Sequence, residues 1–495
     1  MKGTAAIANG AWLAASLPEY RRFRRAATDL ESTQRGLLLN CLARNADTTF
    51  GREHGFSGIR SWEEFAARVP VRTYDDFRPW INRIAQGEQA ILTADRVQLF
   101  EPSSGSSGAA KWIPYTAGLQ AEYRRAVAAW MAGLFLSRPQ LMAGRAYWSL
   151  TPPADDVQAD ESQVPIGFDE DSAYLGGIAQ RVINFAMVTP PVAGHAKDSE
   201  SFWRTTAESL AACRDLRIIS AWHPSFVLLL RDKVRERLGT NDNPWPRLGL
   251  ISCWGDAQAA ALLPDLQAAF PGVAIQPKGL LATEGVVTFP LGEQRPLAVR
   301  SHFFEFEDSQ GTIHPAWDLL DGDEYQVIMT TGGGLYRYAL RDRVRVTGYY
   351  GATPCLEFVG KADQVVDQRG EKLSEDFVAS CINETFAALG IRPGFAMLAP
   401  DLSGAPPGYT LYIESAAALP DALHHELEER LCRGYHYALC IRLGQLRPVS
   451  VQRVRAPAFD AYSRALVARG MRLGDIKPTP LSRYTDWSER FDALS

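Results

Sequence analysis

Apolar residues change their spacing several times along the chain, and each change marks an element. Over the first 45 residues they recur at helical intervals, closing on Leu37-Leu38-Leu39 and Leu42, so this stretch is expected to be helical. A turn-rich connection follows, Thr48-Thr49-Phe50-Gly51-Arg52-Glu53-His54-Gly55-Phe56. Ser61 with Glu64 three residues on has the spacing of a capping box, which predicts a short helix that Pro70 ends. Thr73-Tyr74-Asp75-Asp76 begins another. Tyr123, Val127, Trp130, Met131 and Leu134 then predict one long helix over Leu119 to Leu136. Residues 151–177, with their Pro, Asp and Gly, read as a long loop.

Beyond the loop the period alternates. Ile218-Ile219-Ser220-Ala221-Trp222 reads as a buried strand interrupted by His223-Pro224, with Ser225 starting a helix over Phe226 to Leu238. Leu248 to Asp256 reads as a strand ending in a glycine turn, before a helix over 257–269 and a strand Val273–Gln276. Strands alternating with helices predict an α/β domain whose ligands sit beyond the strands' C-terminal ends. Strand patterns then crowd together at Phe303–Phe306, Glu324–Thr330, Leu335–Tyr338, Val344–Val346 and Cys355–Val359, which predicts an antiparallel section. The polar stretch Lys361 to Gly370 reads as a hinge. Past it come a helix over 374–389, a strand over 409–414, a helix over 420–433 introduced by Pro420, and a strand over 449–454. The expected organisation is a large N-terminal domain over 1–360 with mixed sheets, helices and a β-rich section. A hinge over 361–370 and a smaller, mobile α+β C-terminal domain over 371–495 follow.

Composition narrows the class. The longest purely apolar run, Ala126 to Leu136, is 11 residues and far too short to span a bilayer. A net charge of −5 gives no reason to expect nucleic acid or an anionic membrane as partner. Seven cysteines without a C-x-x-C pair point to reduced thiols in the cytoplasm and away from a zinc site. Of 52 basic residues only eight are lysines, so lysine marks places where a compact ammonium matters. A monomer is the default expectation.

The densest chemistry lies in Ser103-Ser104-Gly105-Ser106-Ser107-Gly108-Ala109-Ala110-Lys111. The glycines let successive N–H groups face one concavity, the hydroxyls add donors, and Lys111 adds a mobile charge suited to polyphosphate. The stretch is not the common P-loop, which needs a hydroxyl after its lysine, where Trp112 stands. A flexible Ser/Gly linker is the alternative for this stretch alone. Three further elements agree with the phosphate loop. Ala282-Thr283-Glu284 ends a strand with a hydroxyl and a carboxylate. Tyr336-Arg337-Tyr338-Ala339-Leu340-Arg341-Asp342 places an aspartate just after a strand. Gly360-Lys361-Ala362-Asp363 with Gly370-Glu371-Lys372-Leu373-Ser374-Glu375 forms an interdomain joint. His54 has no second ligand at a metal spacing and reads as a packing residue.

In that order and at those distances the four elements resemble the acyl-adenylate-forming superfamily. The chain is more closely similar to the auxin-responsive acyl-acid–amido synthetase family, in a bacterial-type form. Asp47 to Phe56, Val69-Pro70-Val71-Arg72-Thr73-Tyr74-Asp75-Asp76, Ser104 to Pro114 and Arg337 to Gly348 carry this likeness, which runs from about residue 45 to Pro478. The resemblance implies ATP and Mg2+ as cofactors, and a small carboxylic acid and an amino acid as substrates. It implies that the Ser103–Gly108 loop and Lys111 hold the β- and γ-phosphates, that Thr283 bonds the α-phosphate, and that Glu284 helps to hold the metal. Asp342 would accept both ribose hydroxyls, and Lys477, in Gly474-Asp475-Ile476-Lys477-Pro478, would swing in over the phosphate on a domain turning near Asp363. Lys361 is grouped with the nucleotide-binding residues, although it and Lys372 also read as structural partners of the joint. Trp254, with Gly255 and Asp256, is assigned to the adenine or to the core, and Trp222 and His223 to the acyl pocket. Bringing a carboxylate to a triphosphate sets two anions together, a repulsion of several kcal/mol at intermediate dielectric that these cations would offset.

One departure stands out. Where the family has glycine before the ribose-binding aspartate, this chain has Arg341. If the turn needs φ > 0, arginine is strained there by about 1 kcal/mol or more, and it can also pair with Asp342. Two alternatives follow from the same residues: a coenzyme A ligase sharing the adenylation step, or a nucleotide- or carboxylate-binding protein without turnover.

Overall fold

The computed structural model describes residues 4–103, 111–149, 162–166, 185–190, 199–221, 223–361, 365–366, 368–369, 371, 373–442, 444–455, 457–471 and 476–491. The chain divides into two compact units, Met1–Phe358 and Val359–Ser495. Most of the region read as a long loop, 151–177, lies outside the described residues.

The first unit opens with helices α1 (Thr4–Ala26) and α2 (Leu30–Arg44). Of the leucines near the end of α2, Leu38 and Leu42 are buried, so they form the inward stripe. Short helices α3 (Thr49–Glu53), α4 (Trp62–Arg68) and α5 (Tyr74–Ala85) follow. Ser61 caps α4 through the Glu64 N–H at 3.3 Å, but the Glu64 carboxylate turns to the Arg60 N–H instead. The reciprocal box forms one helix later, where Asp76 accepts from the Thr73 N–H at 2.8 Å and Thr73 caps α5 in return. Strands β1 (Val97–Ser103) and β2 (Lys111–Thr116) form an antiparallel hairpin, and Thr116 caps the long helix α6 (Ala117–Ser137).

A four-stranded parallel sheet follows, in the order β3 (Arg145–Trp148), β4 (Leu216–Ser220), β5 (Leu250–Cys253), β6 (Ala274–Pro277). Helices α7 (Ser199–Ala211), α8 (Pro224–Leu238) and α9 (Leu263–Ala269) accompany it. One face packs Tyr147, Ile219 and Ile251 with Leu230 of α8, and the other packs Ala146, Ile218 and Leu250 with α6 and Trp12 of α1. Helix α8 begins at Pro224 rather than Ser225, because proline suits the first helical turn, where its missing N–H costs nothing. The expected helix over 257–269 is instead a 3-10 turn (Ala257–Leu262) leading into α9, with Pro264 in the new first turn.

The hairpin β7 (Leu281–Ala282) and β8 (Gly285–Val286) leads to a five-stranded sheet ordered β10 (Ile313–Pro315), β9 (Phe303–Glu307), β11 (Glu324–Thr330), β12 (Tyr338–Tyr350), β13 (Thr353–Lys361). Its β10–β9, β9–β11 and β11–β12 pairs are antiparallel. The two strands expected at Leu335–Tyr338 and Val344–Val346 are one long strand that starts only at Tyr338. Gly332-Gly333-Gly334 makes a tight turn before it, with Gly334 at φ 94°, so Leu335 to Arg337 lie outside the ladder.

In the second unit, β14 (Val365–Val366) pairs with β15 (Leu373–Ser374), so the supposed hinge contributes a small hairpin. Ser374 caps α10 (Glu375–Leu389), which Gly390 ends in the left-handed conformation. Strands β16 (Phe395–Asp401), β17 (Gly408–Glu414) and β18 (Ser450–Arg453) form a mixed sheet, antiparallel then parallel. Around it lie α11 (Leu423–Leu431), α12 (Tyr435–Arg442), α13 (Ala458–Val467) and α14 (Trp487–Arg490). Pro420 precedes α11 by three residues instead of opening it.

Gln34 is fully buried and joins α2 to β9. Its amide donates to the Val299 and His302 carbonyls at 2.8 Å, and its oxygen accepts the Phe304 N–H at 2.9 Å. Gln34→Leu strands all three backbone groups in the core. We expect it to cost about 2 kcal/mol or more, read as a lower urea midpoint for the first unit.

Candidate functional site

The register of the β1–β2 hairpin sets Ser103 opposite Lys111, so the Ser/Gly loop closes the hairpin. Ser104, Gly105, Ser106, Ser107 and Gly108 lie outside the described residues, as does the side chain of Ser103. Lys111 is half-buried, with Nζ 5.9 Å from the centre of the Tyr74 ring. The Tyr74 hydroxyl accepts the Trp112 N–H at 2.7 Å, and Trp112 stacks on Phe100 at 5.6 Å, which fixes the start of β2.

Thr283 and Glu284 form the two-residue turn of the β7–β8 hairpin rather than a strand end. Tyr123 of α6 donates to the Thr283 carbonyl at 2.8 Å and also reaches that of Ala282. Glu284 is 6% exposed and accepts the Tyr338 hydroxyl at 3.0 Å. Burial, then the charge of Glu284, lifts the phenols of Tyr123 and Tyr338 well above their ordinary range, so both stay protonated donors at neutral pH. Asp342 also raises Tyr338, and Glu284 also raises Tyr74, although burial dominates at both. Glu284, Asp342, Tyr74 and Tyr338 therefore share one electrostatic neighbourhood, with Lys111 over the Tyr74 ring.

Asp342 is 4% exposed and lies inside β12, not after a strand as its polar surroundings suggested. A bulge explains the misreading. Ile328 faces Ala339 while Gln326 faces Arg343, so three residues of β12 stand against one of β11. Arg341, at its centre, has φ 62°, the left-handed conformation that glycine adopts without strain. Arg337 is also left-handed at φ 50° and buried. Its guanidinium meets Glu305 at 2.9 Å and the carbonyls of Ala66 and Val69 at 3.0 and 2.8 Å. Arg72 bridges across to this segment, its N–H on the Arg337 carbonyl at 3.0 Å.

His54 does what packing requires. It stacks on Phe50 at 4.0 Å, bonds the Phe50 carbonyl through Nδ1, and takes the Arg72 guanidinium at Nε2. Burial lowers its pKa, and this bonding pattern suits the neutral ring.

The parallel sheet presents its C-terminal edge in the same unit. His223 is buried just after β4, and Trp254 is half-buried just after β5 with its ring 5.2 Å from Phe358. Asp256 is spoken for by Arg295 at 2.6 Å and the Phe358 N–H at 3.1 Å. Trp222 lies outside the described residues. Lys278, which the sequence reading gave no role, follows β6 and is buried on this edge, and its place among only eight lysines was the available signal. Lys361 ends β13 and Lys477 is exposed, its carbonyl accepting the Tyr462 hydroxyl at 3.0 Å; both belong to the second unit. Asp363, Lys372, Gly474 and Asp475 lie outside the described residues. Glu371 is a buried structural acid that accepts the Gln368 and Arg369 N–H groups at 2.7 Å.

Among the described residues no group of three or more His, Cys, Asp or Glu could cage a metal. Glu284 offers one buried carboxylate, and magnesium takes few protein ligands, completing its shell from other oxygens and water.

Models of the GH3 family N-terminal, central and C-terminal domains match residues 19–238, 296–361 and 378–486. Among curated proteins, the chain is 23% identical to the probable indole-3-acetic acid-amido synthetase GH3.1 of Arabidopsis thaliana, over 94% of this chain and 91% of the relative. It is 26% identical to the indole-3-acetic acid-amido synthetase GH3.15 of the same plant, over 92% and 91%. In fold it is similar to the AtGH3.15 acyl acid amido synthetase in complex with 2,4-DB, with a TM-score of 0.83, 19% identity and coverage of 98% and 96%. It is also similar, at a TM-score of 0.54 and 13% identity over 95% and 90%, to 2-hydroxyisobutyryl-CoA ligase in the postadenylation state.

Arg341→Gly tests the bulge. Relief of the left-handed strain is expected to raise stability by about 1 kcal/mol, seen as a higher denaturation midpoint, without loss of nucleotide binding.

Proposed function

The chain belongs to the GH3 family, and on that footing we propose that it is an ATP-dependent acyl-acid–amido synthetase acting on a small carboxylic acid and an amino acid. The observation that carries this reading is the gathering of Lys111, the Thr283–Glu284 turn and Asp342 around Tyr74 and Tyr338 in one unit. In the first step a carboxylate oxygen of the acid attacks the α-phosphorus. An oxygen–phosphorus bond forms, the α–β bridge breaks, and pyrophosphate leaves. In the second, the amine nitrogen attacks the acyl carbonyl and loses a proton to solvent, while the bond to phosphate breaks and AMP leaves.

Lys111 and the loop from Ser103 to Gly108 offset the charge of the β- and γ-phosphates, and Thr283 bonds the α-phosphate. Magnesium bound beside Glu284 would supply further neutralisation of the departing pyrophosphate. Asp342, an acceptor-only carboxylate, takes the ribose hydroxyls. The acyl group lies along the C-terminal edge of the parallel sheet, near Trp222, His223 and Trp254. Full-length relatives bearing the amido synthetase name support an amino acid over coenzyme A as acceptor, and the presence of Lys111, Thr283, Glu284 and Asp342 together supports turnover over mere binding.

Among the described residues no helix is long and apolar enough to cross a membrane. All seven cysteines are free, and burial pushes the Cys41 and Cys253 thiols up to about 12, which suits a reducing cytoplasm.

The test is acid-dependent ATP–pyrophosphate exchange across aryl, indolyl and fatty acids, followed by product analysis with amino acids and coenzyme A. Exchange with at least one acid is expected, falling about 100-fold or more in Lys111→Ala. ATP binding without exchange for any acid would overturn the reading.

A further inference from the structure

The Thr283–Glu284 turn is held from one helix by two routes. The direct route is Tyr123, whose hydroxyl takes the Thr283 carbonyl at 2.8 Å. The second begins one residue earlier. Glu122 Oε2 lies 2.9 Å from Nδ1 of His302, a ring with no exposed side-chain surface, in ion-pair contact but off the line of a hydrogen bond. Nε2 of His302 accepts the Val286 N–H at 3.1 Å, two residues past Glu284. Accepting at Nε2 leaves Nδ1 to carry the proton of a neutral ring, so an N–H stands beside the Glu122 carboxylate. The same carboxylate also accepts the Gly332 N–H through both oxygens, at 3.0 and 2.9 Å, in the glycine turn that precedes Tyr338. One side chain thus ties together the helix after the phosphate loop, the turn that carries Glu284, and the turn leading to the tyrosine that bonds Glu284. The fit around the ring is close, because a Cβ on Gly285 would stand 2.6 Å from His302 Nε2.

We propose that Glu122 and His302 are positioning residues that set Glu284 for the metal–nucleotide complex, an inference that rests on the role given to Glu284 above. Neither touches the reacting atoms. Their effect passes through the Val286 N–H and the Gly332 N–H to the two ends of the Tyr338–Glu284 contact.

The experiment is calorimetric titration of magnesium into protein saturated with α,β-methylene ATP, alongside metal-free binding of that nucleotide. His302→Leu removes the acceptor for Val286, and outer-shell losses of this kind weaken metal binding about tenfold or more. Metal-free nucleotide affinity is expected to stay within about twofold. His302→Gln can present an amide oxygen to Val286 and an N–H to Glu122, so it is expected to recover most of the metal affinity. Glu122→Gln has one acceptor oxygen for two donors and is expected to fall between; it carries the test if His302→Leu does not fold. Unchanged metal affinity in the variants, or equal loss of metal and metal-free nucleotide binding, overturns the positioning role. Failure of the wild-type protein to bind magnesium with the nucleotide would instead overturn the assignment of Glu284.

Discussion

The first unit depends on a charge placed where charge is expensive. Arg337 is 4% exposed and Glu305 1%, and they meet at 2.9 Å between the glycine turn and the bulged strand β12. A lone ion at that depth would cost several kcal/mol, and the pair is held by further hydrogen bonds to both partners. The Ala66 and Val69 carbonyls take the Nη1 donors, the Trp62 indole N–H donates to the Glu305 carboxylate, and the Arg337 N–H goes to Thr330. This web binds the end of α4, the Val69–Arg72 segment, β9 and β11 to one residue held at φ 50°. The next residue, Tyr338, inherits that precision and delivers it to Glu284.

Buried tyrosines do the rest of the positioning. Tyr74, Tyr123 and Tyr338 come from a short helix, a long helix and a strand, and each points its hydroxyl at backbone or carboxylate within the same small volume. At Tyr123 and Tyr338 burial keeps the phenol's proton, so the bond each donates does not depend on pH in the neutral range. Glu284 and Asp342 bring two acidic side chains into that neighbourhood, with Lys111 over the Tyr74 ring.

Much of this was legible in the sequence where a signal is local. The strand Glu324–Thr330 matched its expected bounds because its run of Val, Ile and Met is bounded by polar residues, and α6 was plain from its helical stripe. The Ser/Gly loop was singled out by its composition, and the Thr283–Glu284 dipeptide and Asp342 by their order along the chain and the family resemblance it carries. The strain at Arg341 was also foreseeable, since it stands where a glycine is the natural residue, and its φ of 62° bears that out. What escaped was non-local. The bulge in β12 hid a continuous strand behind Arg341-Asp342-Arg343, and Glu122 and His302 lie 180 positions apart with nothing in either neighbourhood to announce the other. Nothing near Arg337 or Glu305 signals that they pair. The reciprocal capping box sat at Thr73–Asp76 instead of Ser61–Glu64, because the Glu64 side chain found a nearer N–H on Arg60.

The missing side chain of Gly285 has an evolutionary consequence. A methyl group there would collide with Met329 Cε at 2.5 Å and with the His302 ring at 2.6 Å, so 285 is not free to drift alone. While the imidazole occupies its slot, position 285 admits only glycine, and any larger residue there must arrive with a smaller one at 302. Across the sequences that share this fold, a larger residue at 285 should therefore appear only where 302 is smaller. A library built to retune this centre would have to randomise them as one unit.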